Sequence, residues 1–157
     1  MPNPENTNVG ICTFDTGISF YKLTATGDVN QIVINNMEDP FAAEPISSVT
    51  FNINEFRDSL DVLIDKLSEK TITATSTTSL YSLITTLKDM FEGGRAIIFS
   101  TLLGSMGAKK LAMRDDAKLY NTDKERSLYT MQDESYFELA RDATDAGMAI
   151  DIFACTY

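Results

Sequence analysis

Two nearly unbroken apolar runs, Arg95–Leu103 and Met148–Cys155, set the strongest limit on what this chain can fold into. Each has the length of a strand, and neither alternates apolar with polar residues as a strand with one wet face does. Such runs suit strands covered on both faces in a mainly parallel sheet. Between them lie a polar stretch, Gly104–Leu128, and a helical pattern over Gln132–Ala146. Thr130 is placed to cap that helix, Asp133 suits its positive N-terminal end, and Gly147 stops it because glycine accepts the left-handed cap position.

The N-terminal half adds a different arrangement. Met1–Asn8, with Pro2 and Pro4, reads as a loose lead-in. Val9–Phe14 and Ile18–Leu23 are β-prone runs separated by Asp15, Thr16 and Gly17, which supply turn chemistry; together they predict an antiparallel hairpin. Gln31–Asn35 is a third short strand, and Asn36–Val49 reads as loop broken at Pro40 and Pro45. A helix is predicted over Asn54–Glu69, with Phe56, Leu60, Leu63, Ile64 and Leu67 on one stripe and Asn52 or Asn54 at its start. After the Ser/Thr-rich connection Thr71–Thr78, a second helix over Ser79–Glu92 turns Leu80, Leu83, Ile84, Leu87 and Phe91 inward. The order of hairpin, strand, two helices, strand, helix, strand predicts a single α/β domain over 1–157. Its sheet is expected to be open and mostly parallel, with helices on both faces and the antiparallel hairpin at its N-terminal side.

Composition narrows function. The net charge of −10 repels phosphate backbones and anionic membrane, so neither nucleic acid nor direct membrane docking is expected. No apolar run reaches the roughly 18 residues of a spanning helix. The two cysteines, Cys12 and Cys155, sit in strand-like runs and read as buried free thiols in a reducing, cytosolic compartment. The chain has no histidine, which removes Ser-His-Asp, Cys-His and His-metal chemistry.

The remaining motifs are weak. Gly93 and Gly94 lack the Lys-Ser/Thr of a phosphate loop and precede a strand, so they read as a helix stop. Asp115, Asp116, Asp123 and Glu125 lack the alternating spacing and turn glycine of a calcium loop, so a solvated acidic loop is expected and no metal or cofactor. Lys109, Lys110, Arg114, Lys118, Lys124 and Arg126 give the same loop mixed charge, fit for ion pairs at a partner's rim. Met37, Met90, Met106, Met113, Met131 and Met148 form no stripe and read as core filler.

Four segments resemble one family. Val9–Asp15 followed by Ile18–Leu23 is similar to a hairpin of the form VGFVTYN…LHFYNV. Gly93–Phe99 is similar to GGKIIVF, and Asp151–Phe153 to VDLF. The most specific stretch is Arg114, Asp115, Asp116, Lys118, Leu119 and Asn121–Glu125, then Gln132, which resembles RDDRKLxNTDKE…PQ. These belong to the trunk of the Sec twenty-four family, the cargo-adaptor subunit of the COPII vesicle coat. Ala117 departs from the basic residue of that branch, Met131 from its proline, and Tyr136–Glu138 from the order of other branches.

The resemblance implies a von Willebrand A-like domain and a non-enzymatic role in endoplasmic reticulum to Golgi transport. It implies docking to a Sec twenty-three-type coat subunit, cargo or SNARE proteins reached through the full-length adaptor, and a place on the cytosolic face of the endoplasmic reticulum. It begins at the second strand of that fold. The central first strand, its helix and the Asp-x-Ser-x-Ser metal motif have no counterpart, so an incomplete N-terminus and no bound Mg²⁺ are expected. The sheet would then close the gap directly or borrow a neighbour's strand. Arg114, Asp115, Lys118 and Tyr120 are the candidate partner-binding residues, because they sit on the long loop. The alternative is that Tyr120 pins the loop while the charges are solvated. A generic A-domain ligand binder, an Asp/Glu or Ser enzyme and a non-functional fragment are the competing functions.

Overall fold

The computed structural model describes residues 7–24, 26–42, 44–69, 77–114 and 116–155. Along the chain run β1 (Asn8–Gly10), β2 (Cys12–Phe14), β3 (Ile18–Leu23), β4 (Val29–Ile34), α1 (Ile46–Val49), β5 (Thr50–Asn52), α2 (Arg57–Glu69), α3 (Leu80–Met90), β6 (Gly94–Ser100), α4 (Ser135–Asp145) and β7 (Met148–Ala154). The α/β class expected from the sequence is what forms. The hairpin is β2–β3, with Cys12 opposite Phe20 and Phe14 opposite Ile18, and its turn is closed by Gly17 N donating to Asp15 Oδ1 at 3.0 Å. β4 extends it antiparallel. β6 and β7 pair in parallel, from Gly94–Met148 to Ser100–Ala154. Parallel pairing is confined to that ladder among the described strands.

Strand alternation divides the core in two. Cys12, Phe14, Ile18, Phe20, Ile32 and Ile34 project from one face of the hairpin sheet into a cluster with Leu83, Ile84 and Leu87 of α3 and Leu139 and Ala143 of α4. Ile98 of β6 and Met148 of β7 enter the same cluster, so both sheets share one core with α3 and α4. The opposite face of the hairpin sends Ile11, Tyr21, Leu23 and Val29 against Phe56, Leu60, Leu63 and Leu67 of α2. Helices therefore lie on both faces of the hairpin sheet. Of the predicted α2 stripe, Ile64 is the exception: it stands half exposed, and Ser59 takes the inward place and donates to Thr24 O at 3.2 Å. Asn52 starts the turn before α2, its side-chain oxygen accepting from Asn54 N.

Three expectations need correction. The stretch Asn36–Val49 does not run as loop to its end, because α1 folds there, and the β5 that follows pairs antiparallel with β1. Val49 is the reason: as a 2 % exposed core residue it draws that segment onto the sheet. The helix α4 begins at Ser135 rather than Gln132, since Asp133 Oδ1 accepts from Ser135 N while the Thr130 hydroxyl turns back to Ser127 O. The β6–β7 pair is covered on one face only. Ile97 is 56 % exposed, Phe99 66 % and Phe153 52 %, because no described helix packs over them. The lead-in 1–6 and most of the connection, 70–76, lie outside the described residues.

No ladder joins the hairpin sheet to β6–β7 among the described residues. Direct closure of the gap, one of the two outcomes expected from the sequence, does not occur there. α3 and α4 hold the two sheets together by side-chain packing instead.

Candidate functional site: a cross-braced loop

The segment between β6 and α4 is polar and long, yet it is built rather than loose. Its root is fixed to α3 and to the loop after β4. Thr78 Oγ1 donates to Leu103 O at 3.1 Å, Met106 N to Thr78 O at 3.1 Å, and Ala108 N to Met37 O at 3.0 Å. Ser82, fully buried, donates to the same Met37 carbonyl at 2.5 Å. Gly107 sits at this junction with φ +77, and a Cβ there would lie 2.7 Å from Met37 O and 2.8 Å from Ser82 Oγ. Only glycine lets the loop approach the helix so closely.

Farther out, two side chains tie the outgoing and returning arms together. Arg114 donates from Nη1 to Ser127 O at 2.8 Å and from Nη2 to Thr130 O at 2.5 Å. Gln132 accepts from Ala112 N at 3.0 Å through Oε1 and donates to Ala112 O at 2.7 Å through Nε2. Between these braces, Asp116 caps a 3-10 turn over Ala117–Leu119, and Asn121, at φ +58, donates its N–H to Glu125 Oε2 at 3.1 Å. A second 3-10 turn covers Glu125–Leu128. Asp133 lies below the usual carboxylate range, chiefly because the Ser135 amide donates to it, with the Ser135 hydroxyl and the Lys109 charge adding to the effect.

The arms enclose an open groove of about 390 Å³. Leu103, Met113, Leu128 and Tyr129 give it apolar walls, and Arg114, Glu125 and Gln132 give it polar ones. Tyr120 stands on its wall, 46 % exposed. Of the residues singled out from sequence, Arg114 and Tyr120 are thus brought together, whereas Lys118 is exposed outside the groove lining. Asp115 lies outside the described residues. Arg114 is engaged inside the chain, bracing the loop through two carbonyls.

Sequence reasoning missed the apolar rim. Met113 is 80 % exposed and Met131 53 %, so neither fills the core as expected. Tyr129 is exposed too, and the one signal for this rim was the scatter of large apolar and aromatic side chains through a stretch otherwise polar and charged. The thiol expectation also splits. Cys12 is half-buried and burial pushes it up to about 11, whereas Cys155 falls just beyond β7 and is exposed. Among the described residues no three His, Cys, Asp or Glu side chains gather to hold a metal, and no helix is long and apolar enough to cross a membrane.

Comparison with known proteins places this architecture. The family described as Sec23/Sec24 trunk domain matches residues 1–157. "Protein transport protein SEC24 A" of Arabidopsis thaliana is 27% identical over 161 residues, covering 98% of this chain and 15% of that protein. "Protein transport protein Sec24C" of Homo sapiens is 28% identical over 152 residues, covering 92% and 14%. Among solved structures, "Crystal structure of the human COPII-coat protein Sec24c" superposes with a TM-score of 0.82 at 27% identity, over 96% of this chain and 20% of that one. The chain thus spans a small part of the length of these relatives, and by a family match that runs from its first residue to its last it belongs to the Sec23/Sec24 trunk domain family.

Proposed function

We propose that this chain acts as a structural, cargo-adaptor-type element of the COPII coat in endoplasmic reticulum to Golgi transport. It works by association with a Sec23-type coat subunit on the cytosolic face of the membrane, and not by catalysis. The single observation behind this reading is the likeness to a protein titled a COPII-coat protein over 96% of the chain. The fold suits the role: a roofed α/β platform projects a loop whose shape is fixed from within by Arg114 and Gln132. Interfaces reward such pre-organisation, because little ordering entropy is lost on docking.

Within that reading, the groove rim is the contact surface. Tyr120, Met113 and Tyr129 supply large side chains of the kind enriched in interfaces, and Lys118 supplies a rim charge beside them. Arg114 contributes by holding the rim in place. Cargo or SNARE proteins are engaged through the longer adaptor.

Retention of a purified Sec23-type subunit on the immobilised chain tests this, with the corresponding segment of human Sec24C as the positive control. Retention by both is expected, weakened by Tyr120→Ala and less so by Lys118→Ala. Retention by the human segment alone would sink the reading and favour a binding module outside the coat.

A further inference from the structure

Arg114 is a cation held by neutral partners. Its nitrogens donate to Ser127 O at 2.8 Å and to Thr130 O at 2.5 Å, and among the described residues no carboxylate forms an ion pair with it. A guanidinium bonds an anion more strongly than a carbonyl, and its planar fork matches an anion that offers two oxygens at once. The fork is therefore bound below its capacity.

The Thr130 hydroxyl stands beside that fork. Thr130 Oγ1 donates to Ser127 O at 3.2 Å, the same oxygen that accepts from Arg114 Nη1. The hydroxyl and Nη1 thus lie no farther apart than two hydrogen bonds laid end to end, and the carbonyl of Thr130 itself holds Nη2. Thr130 is exposed, and the backbone from Thr130 to Asp133 is neither helix nor strand, so an enzyme's cleft can reach it. Ser127 is exposed too, but it lies inside the 3-10 turn Glu125–Leu128 with its hydroxyl turned to Lys124 O at 2.7 Å. The nearest charge to Thr130 along the chain is Asp133, and Glu134 follows it.

We propose that Thr130 is a phosphorylation site whose phosphate is captured by Arg114. A Ser/Thr kinase with a basic substrate cleft, matched to Asp133 and Glu134, moves the γ-phosphoryl group of ATP onto Oγ1. The new O–P bond forms as the bond to the bridging β-phosphate oxygen breaks, the hydroxyl proton passes to the kinase's catalytic carboxylate, and ADP leaves. The esterified oxygen no longer donates to Ser127 O. The free phosphate oxygens take the Arg114 fork, since a phosphate outcompetes a carbonyl for a guanidinium. Ser127 O then loses both side-chain donors, which releases the turn over Glu125–Leu128 whose first and last residues line the groove. The modification is a switch on the shape of this loop, and it holds whether or not the chain binds a coat subunit.

Two measurements test it. First, the whole chain is made with phosphothreonine encoded at position 130, and the phosphate is titrated by its phosphorus resonance. The reference is a free peptide of residues 127–135 with the same group, which keeps Asp133 and Glu134 but lacks Arg114. The second phosphate ionisation is expected at a pH lower by at least about 0.5 in the chain than in the peptide, because a neighbouring cation favours the charged form. Arg114→Ala is expected to return it to the peptide's value. Equal values in chain and peptide, a comparison that needs no variant to fold, would overturn the proposal, and so would a lowering that survives Arg114→Ala. Second, the unmodified chain is given a purified acid-directed Ser/Thr kinase with ATP and Mg²⁺. Phosphate is expected on Thr130, arriving at least about tenfold more slowly when Asp133→Asn and Glu134→Gln are combined. Asparagine keeps the side-chain oxygen that accepts from Ser135 N, so the start of α4 is preserved. Modification of Ser127 in place of Thr130, no modification, or an unchanged rate in the double variant would each overturn the proposal.

Discussion

Gln132 and Ala112 face each other as two residues of a β-ladder would, although one of them uses only its side chain. The Gln132 amide accepts from Ala112 N at 3.0 Å and donates to Ala112 O at 2.7 Å. A glutamine carries both functions on one planar group, which is why it can stand in for a strand here. Ala112 thereby has both main-chain groups paired inside a loop.

Removing that brace costs two hydrogen bonds at a solvent-exposed site. Gln132→Ala is expected to lower stability by about 1 kcal/mol, the low end for two such bonds. Gln132→Glu keeps the acceptor for Ala112 N but loses the donor to Ala112 O, so its effect falls between. Chemical denaturation reads the stability change. Limited proteolysis reads the location: cleavage within 111–130 should accelerate in the order wild type, Glu, Ala, and equal rates would mean the brace does not hold the loop.

Arg114 tests geometry against charge. Its guanidinium fork meets Ser127 O and Thr130 O together. A lysine keeps the charge but cannot present two diverging planar donors. Arg114→Lys is therefore expected to lose most of what Arg114→Ala loses, about 1 to 2 kcal/mol for hydrogen bonds from a charged donor to neutral carbonyls in a partly exposed site. Full stability in the lysine variant would show that only the positive charge matters.

Much of this frame was legible from the chain. β3 and α3 fall where period and turn residues put them, because Ile18–Leu23 and Leu80–Met90 have local preferences that agree with their burial, whereas the run Val9–Phe14 divides into β1, paired with β5, and β2, paired with β3. What escaped was decided by distance. Val49 becomes core because α1 lands on the hairpin sheet, and no local pattern in Asn36–Val49 announces it. Phe99 and Phe153 look like covered residues in sequence, since an apolar run does not say whether a covering helix exists. Arg114 reads as a partner residue because its acceptors are carbonyls 13 and 16 residues away, which no composition reveals.

Two glycines with left-handed backbones separate strain from clash. Gly27, at φ +87, has nothing within 4 Å of the place a Cβ would occupy, whereas at Gly107, φ +77, the added atom meets Met37 and Ser82 below 3.0 Å. Gly27→Ala is expected to cost about 1 kcal/mol, the left-handed penalty alone. Gly107→Ala adds overpacking of about 1 to 3 kcal/mol. Equal losses in the two variants, measured by denaturation, would show that the α3–loop junction yields to the extra methyl.

The two thiols should differ in reactivity. Burial pushes Cys12 up to about 11 from 9.0, so at pH 8 almost none of it is thiolate. Cys155 is exposed. Iodoacetamide at pH 8 is expected to label Cys155 at least tenfold faster. Because the folded value is raised, the folded state favours the protonated thiol. This contribution is fully present below the ordinary thiol value of 9.0 and is lost as pH climbs toward about 11. A Cys12→Ala variant should show a shallower fall in stability across that window, and an identical fall would locate the alkaline sensitivity elsewhere.

The uncovered sheet face makes the last prediction. Phe99 and Phe153 stack with centroids 5.1 Å apart and planes 20° from parallel, and Ile97 stands beside them. The Arg95–Asp151 ion pair at 2.5 Å borders the same face, since odd-numbered β6 residues and their register partners project together. A contiguous exposed apolar patch is a self-association hazard, and the free edge of β6 beside it adds main-chain groups that a second molecule could pair. The aromatic pair contributes only about 0.5 to 1.5 kcal/mol beyond its burial, and both rings are already more than half exposed. The double substitution Phe99→Thr with Phe153→Thr is therefore expected to leave folding intact and to cost little stability, because threonine keeps β propensity. Sedimentation velocity should show the wild-type chain associating as concentration rises and the double variant staying monomeric. If both stay monomeric over the same range, the charged neighbours Arg95 and Asp151 suffice to protect the face.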